Sequence, residues 1–411
     1  MRLVLVVPRF PQLSETFIVN KFVGLVDAGW DAHIVCATEG LWDDFPQLSA
    51  RPELRRRVHR QWPHEPAWKA GLMWLPALVA ALLRAPTATA RYWRAGRRRF
   101  GARAARRFYL DSAIVALSPD ILHFEFGSQA VGRTDLGDLL GCRLSVSFRG
   151  YDLNYVGLDD PGYYDALWRD TDAVHVLGHD LWRRALRRGC PPDKPHALIP
   201  PAIDMTVFRP ERGDTLTSDD KAIDFERPLR ILSVGRLEWK KGYEYGLAAA
   251  RLLAEAGIPF TYRILGGGAY FEPLIFARHQ MGLEASVEFL GPQPRAAVVD
   301  QMRWADVFLH PAVSEGFCNA VIEAQAMQLP VVASDADGLP ENVDDGRTGF
   351  IAPRRDPAAL ADGLARLAGN AELRQAMGIA GRERVANCFA LPQQIAAFDR
   401  FYREVAIGDA R

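Results

Sequence analysis

Apolar residues recur along this chain in two alternating modes. Short β-branched or leucine-rich runs (residues 3–7, Leu229–Val234 and the stretch from Pro330) read as buried strands, and glycine-bearing loops and amphipathic helices follow them. The opening 37 residues predict a strand, a loop, a helix with Ser14 at its N-cap, and a second strand. PDILHFEFGSQA and LSVSFRGYDL each predict a strand running into a loop, and DAVHVLGHDLWRRAL a strand, a Gly turn and a helix. In the second half, PLRILSVGRLEWKKGYEYGLAAARLLAEAG predicts a strand, a Gly turn and a helix ending near Gly257. SEGFCNAVIEAQAMQLPVVAS predicts a Gly-containing loop over 314–318, a helix from Asn319 and a strand from Pro330. Such strand and helix alternation implies an α/β chain with parallel sheets.

Candidate chemistry concentrates in two of these loops. The first-turn amides of the helix from Asn319 have no intrahelical partner, so a diphosphate fits against residues 316–320, formed by Gly316, Phe317, Cys318, Asn319 and Ala320. Glu315 precedes that anion site and Glu323 lies one turn into the helix, where ionised carboxylates accept hydrogen bonds from vicinal sugar hydroxyls. The bland alternative is a first-turn acid and a solvated loop residue. Arg236, Lys240 and Lys241 crowd the carboxyl end of the Leu229–Val234 strand, the end at which open α/β sheets bind ligands. Ordinary exposed loop charges are the competing reading.

These loops resemble the retaining family 4 glycosyltransferases, which have two Rossmann-like domains (the GT-B fold) and use nucleotide sugars. The resemblance runs from about Ile231 to Arg384 through SVGRLEWKKG, ILGGGAYFEPL, VEFLGP, ADVFLHPAVSEGFCNAVIEAQAMQLPVVASDADGLPENV and DGRTGFIAP. It implies that Arg236 and Lys241 hold the donor diphosphate, Glu323 the ribose, and Glu315 with the amides of Gly316 and Phe317 the transferred sugar. Base contacts are expected from the loops around Gly267 and residues 290–294. The run PRFPQLSETFI resembles the opening of bacterial exopolysaccharide transferases of the colanic-acid type. Three departures stand out. Pro11, Gln12, Leu13 and Ser14 replace a common Gly-Gly pair, IPPAID replaces Asn-Gly-Val-Asp while keeping Asp204, and Arg149-Gly150 stands where the family has His-Gly. A guanidinium stays protonated and is no base, which leaves Arg149 to stabilise donor charge or bind an acidic acceptor, with Asp152 to orient it.

Size and composition agree with two domains. At 411 residues, 49% hydrophobic and 24% charged, the chain divides into an N-terminal acceptor-side domain over 1–200, a nucleotide-sugar domain over 205–385, and a helix within 386–411 that returns to the first domain as in the resembled fold. ERGDTLTSDDKAIDFERP is expected to be an exposed loop. No signal peptide is evident, and five scattered cysteines without a Cys-x-x-Cys pair favour a cytoplasmic setting. The expected cofactor set is empty and no metal ligands are assigned; His175 and His179 have metal-like spacing but fall on different elements.

Charge changes the picture in one place. Net charge is zero, yet residues 51–110 carry 15 Lys and Arg against two acids, an excess of 13 positive charges around the apolar run WLPALVAALL. That run is far short of the roughly 20 residues that span a bilayer. As a helix it would put Leu75, Leu78, Val79, Leu82 and Leu83 on one side, which suits an anionic membrane surface and a lipid-linked acceptor; an ordinary core-packing helix pair with a solvated basic face, and nucleic-acid binding, are the competing readings.

The expected activity is therefore retaining, metal-independent hexosyl transfer from a nucleoside-diphosphate sugar to a glycan or lipid-linked acceptor. The expected location is the cytoplasm, peripheral on the inner membrane face. Three alternatives compete: a non-catalytic nucleotide-sugar-binding subunit; a metal-dependent GT-A transferase using Asp335-Ala336-Asp337; and a nicotinamide oxidoreductase built on Gly266-Gly267-Gly268.

Overall fold

The computed structural model describes residues 1–12, 15–43, 45–210 and 227–408; Leu13, Ser14 and the polar stretch 211–226 lie outside the described residues. The chain forms two compact units. One takes in Met1–Leu177, Leu181–Ile199 and the residues from Gln394 onward, and the other Gly178–Asp180 and Pro200–Gln393.

The first unit is built on a seven-stranded parallel sheet in the order β3-β2-β1-β4-β5-β6-β7. Its strands are β1 (Arg2–Phe10), β2 (Asp31–Glu39), β3 (Val58–Arg60), β4 (Ile121–Phe124), β5 (Arg143–Phe148), β6 (Ala173–Val176) and β7 (His196–Leu198). The second unit has a six-stranded parallel sheet ordered β10-β9-β8-β11-β12-β13. These are β8 (Leu229–Val234), β9 (Phe260–Leu265), β10 (Val287–Gly291), β11 (Val307–His310), β12 (Val331–Ser334) and β13 (Gly349–Ala352). Strands covered by helices on both faces need apolar residues on both sides of the pleat, and β4, β6, β11 and β12 are accordingly buried throughout.

Seven helices bear on the cores and on the candidate site: α1 (Thr16–Asp27), α2 (Ala67–Arg84), α3 (Pro86–Phe100), α4 (Ala104–Val115), α5 (Tyr243–Glu255), α6 (Asn319–Ala326) and α7 (Leu391–Ile407). From α7, Phe398, Phe401, Tyr402 and Val405 enter the first unit's core beside Phe22, Leu25 and Trp30. Trp30 Nε1 donates to Asp399 Oδ1 at 2.8 Å. Gly24 on α1 admits this helix closely, since a Cβ there would stand 2.5 Å from Ile395 Cδ1.

Under α7 lies a buried charged cluster. Lys21 Nζ meets Glu125 Oε1 at 2.6 Å and sits 3.9 Å above the Phe398 ring, while Arg149 Nη2 holds the other Glu125 oxygen at 2.9 Å. His123 bonds Ser145 and Ser147 at 2.8 Å each, and Ser147 bonds His175 at 2.7 Å. His175 Nε2 ends the chain on the Ile199 carbonyl at 2.8 Å, so both histidines are satisfied structural residues. Burial pulls the Lys21 ammonium down to about 8 despite Glu125.

Helix α2 departs from expectation. It runs 18 residues, well beyond the apolar run itself, and is the one helix among the described residues long and apolar enough to cross a membrane. Leu78 turns partly inward, whereas Trp68 and Leu72 join the exposed side.

Replacing Lys21 with Met removes one partner of a buried pair while leaving Glu125 charged. Chemical denaturation should show a loss of about 3–5 kcal/mol, and an unchanged midpoint would show that Arg149 alone compensates Glu125.

Candidate active site

In the second sheet the strand order reverses between β8 and β11, and the loops leaving their carboxyl ends border the crevice in which such sheets hold ligands. These two loops are bonded to each other. Val313 N and Ser314 N both donate to the Lys240 carbonyl, at 2.8 and 3.2 Å. Gly242 permits the approach: it is left-handed at φ +62°, and a Cβ there would lie 2.2 Å from the Pro311 oxygen. The effect is to aim Lys241 at Glu315, and the two side chains form a largely buried ion pair.

His310, the last residue of β11, completes this cluster. Its Nε2 lies 3.4 Å from Glu315 Oε2 and its Nδ1 4.0 Å from Cys318 Sγ. Burial alone would raise the Glu315 pKa, but Lys241 and then His310 outweigh it and bring the carboxylate down to about 2. Burial likewise opposes the charge on Lys241, and Glu315 reverses the sign, so its pKa rises. His310, Glu315 and Cys318 are close enough together to suggest a metal site. The imidazole turns different nitrogens toward the other two, and Lys241 already holds the carboxylate.

Helix α6 begins beside Glu315 with no side-chain cap. The Cys318 amide is already taken by Asn342 Oδ1 at 3.2 Å, which leaves Gly316, Phe317, Asn319 and Ala320 as the amides for an anion. Glu323, one turn on, has its carboxyl raised to about 7 by burial, with Arg295 opposing the rise. Arg236 stands apart from the pair. Its guanidinium is two-thirds exposed and bonds Glu238 at 2.8 Å, although its charge still reaches Lys241. Gly267 accepts from Leu237 N at 2.9 Å, and its neighbours at 266 and 268 have φ values of +144° and +157° that let this turn cross the backbone of residues 235–237.

Arg149 belongs to the first unit, at the end of β5. Its guanidinium is held by Glu125 and lies 3.9 Å from the Phe17 ring centre. Asp152 does not orient that side chain as expected. Its carboxylate accepts instead from the backbone N–H groups of Arg149 and Ser128, at 3.0 and 2.9 Å. Glu15 has its carboxyl pushed up to about 6 by burial, against the pull of Arg149.

Comparison with known proteins decides the family. The profile of the Glycosyl transferases group 1 matches residues 217–384. A relative from Escherichia coli (strain K12), named a colanic acid biosynthesis glycosyltransferase, WcaL, is 31% identical over 384 residues, covering 87% of this chain and 88% of that one. The chain belongs to the group 1 glycosyl transferases. Another relative, the amylovoran biosynthesis glycosyltransferase AmsK of Erwinia amylovora, is 29% identical over 89% of this chain and 90% of its own. Among solved structures, Anabaena Alr3699/HepE in complex with UDP-glucose superposes with a TM-score of 0.72 over 98% of this chain and 100% of its own, at 13% identity. The fold is thus GT-B, with two Rossmann-like parallel-sheet domains.

This assignment removes the single-domain GT-A and nicotinamide alternatives, and the geometry gives the transferase's Asp335-Ala336-Asp337 stretch another role. Asp337 Oδ2 accepts from Ser314 Oγ and Glu315 N at 2.6 and 3.2 Å, and its other oxygen holds Arg354 at 3.0 Å. Asp335 holds the same arginine at 3.3 Å, so both carboxylates shape the Glu315 loop. Residues that sequence reasoning did not connect to the site are His310 as a partner of Glu315, Asn342 as the clamp on Cys318, and Asp337 as the support of the loop. Each contact joins separate elements and leaves no mark in local periodicity.

Glu323 gives a pH test. Between the ordinary carboxylate range and about 7 the folded transferase retains a proton that the unfolded chain has lost, so stability falls as pH rises through that window. Glu323→Gln should flatten that slope in a series of thermal melts; an identical slope in the variant would place its origin elsewhere.

Proposed function

We propose that this transferase moves a hexose from a nucleoside-diphosphate sugar to a glycan or lipid-linked acceptor, with retention and without a metal, in the synthesis of a bacterial surface polysaccharide. The observation that carries the reading is the Lys241–Glu315 pair beside the uncapped start of α6. It gathers a buried cation, a sugar-binding carboxylate and free amides at one sheet end. The biosynthetic setting is taken from the names of WcaL and AmsK, and the uridine diphosphate sugars as first donors to try from the HepE complexes.

In the proposed reaction Lys241, Arg236 and the amides of Gly316, Phe317, Asn319 and Ala320 stabilise charge on the departing diphosphate, and Glu323 accepts from the ribose. Glu315 positions the sugar. The bond from the anomeric carbon to phosphate oxygen breaks as the acceptor oxygen bonds that carbon on the same face, and the acceptor's proton passes to the leaving phosphate. Arg149 supplies positive charge toward the donor or an acidic acceptor and accepts no proton. With leaving-group charge met by side chains and amides, the route calls for no divalent ion or other cofactor.

A second reading, a subunit that binds nucleotide sugars without turnover, is favoured by Arg149 where the resembled enzymes have His. A thermal-shift panel of nucleoside diphosphates and their sugars should identify a donor stabilising the protein by about 2.7 kcal/mol at 100 times its dissociation constant. Donor binding without hydrolysis or transfer would favour the binding subunit. Lys241→Ala should lower kcat by roughly 10²–10³, the cost of one lost charge-stabilising donor, with EDTA leaving wild-type turnover unchanged. Full turnover by that variant would remove Lys241 from the mechanism.

A further inference from the structure

Helix α2 has two apolar faces. One packs within the first unit: Ala77 and Ala81 are buried, Trp74 meets Trp93 of α3 with ring centres 6.1 Å apart, and Trp74 Nε1 donates to the Ala105 carbonyl of α4 at 3.0 Å. The other face holds Trp68, Leu72, Leu75, Val79, Leu82 and Leu83, all exposed, with Trp68, Leu75 and Leu83 at 71%, 61% and 81%. At about 100° per residue these six fall within an arc of roughly 100°, opposite the packed face.

A water-facing stripe of a Trp and five aliphatic side chains costs free energy wherever it stays wet. Its neighbourhood is strongly basic. Lys69 and Arg84 are exposed on α2 itself, and on the next helix Arg94, Arg97 and Arg98 are exposed and make no ion pair among the described residues. Arg107, by contrast, is structural, bonded to Asp111, Asp135 and the Gly132 carbonyl.

We infer that the outer face of α2 inserts into the interfacial region of an anionic lipid leaflet, at the cytoplasmic face of the membrane, with the α3 arginines on the headgroups. The helix lies on the membrane and does not cross it, because crossing would strip Trp74, Ala77 and Ala81 from α3 and α4. An apolar stripe beside unpaired arginines matches a surface with an apolar interior and negative headgroups. A nucleic acid offers the arginines phosphates but gives the leucines nothing to enter.

The test is flotation of the full chain with phosphatidylglycerol/phosphatidylcholine vesicles and with phosphatidylcholine alone. Wild type should float with the anionic vesicles and far less with the neutral ones. Leu72→Ser/Leu75→Ser/Leu83→Ser should abolish flotation at low and high salt, and Arg94→Gln/Arg97→Gln/Arg98→Gln should lower partition roughly a hundredfold at low salt. All six positions are exposed, so both variants should keep the wild-type melting temperature. Wild type left at the bottom of the gradient, or a serine variant that floats like wild type, would overturn the inference. So would lipid-free self-association of wild type that the serine variant loses, since the stripe would then be a protein contact.

Discussion

A buried carboxylate stays ionised only beside a cation, and the active end of the second sheet is organised around that requirement. Glu315 and Lys241 come from loops after different strands, and each supplies the charge that makes the other tolerable away from water. Everything nearby serves to keep them together: the Lys240 carbonyl that ties the loops, the left-handed Gly242, and Asp337, which holds the Glu315 backbone. Without a ligand the pair is internally neutral. In the reaction proposed above, a diphosphate arriving at α6 would offer Lys241 a second anion and free part of Glu315 for hydroxyl groups.

The first unit repeats the same physics deeper in the protein. Glu125 is shared between Lys21 and Arg149, and the C-terminal helix α7 covers the cluster with Phe398 and Tyr402. Arg149 is thereby both a charge presented at the end of β5 and part of the interior's compensation. A substitution there would disturb the packing on Phe17 as well as the charge that compensates Glu125.

The two sheets also show why charge gathers where it does. Parallel strands put their carboxyl ends together, and at the reversal of strand order in the second sheet the loops after β8 and β11 meet beside the crevice. Titratable side chains gathered there compensate one another's charge, as Lys241 and Glu315 do, while those within the strands are satisfied by hydrogen bonds, as His123 and His175 are by serine hydroxyls and a carbonyl.

Local pattern alone determined much of this protein. The strand over Leu229–Val234 and the helix starting at Asn319 follow from apolar runs, glycine turns and unpaired amides that neighbouring residues specify among themselves, and the loops carrying Lys241 and Glu315 follow from the same pattern. The 18-residue extent of α2 was less legible, because Pro76 and flanking Trp and Lys residues blur a pattern judged only by its apolar run. Tertiary structure decided which partners those side chains have. It gave the Arg149 guanidinium to Glu125 and not Asp152, Arg236 to Glu238, the Cys318 amide to Asn342, and Leu78 to a half-buried place on its helix. Such pairings depend on which loops the sheet order brings side by side, and on the free energy of burying each charge, both of which are properties of the packed chain as a whole.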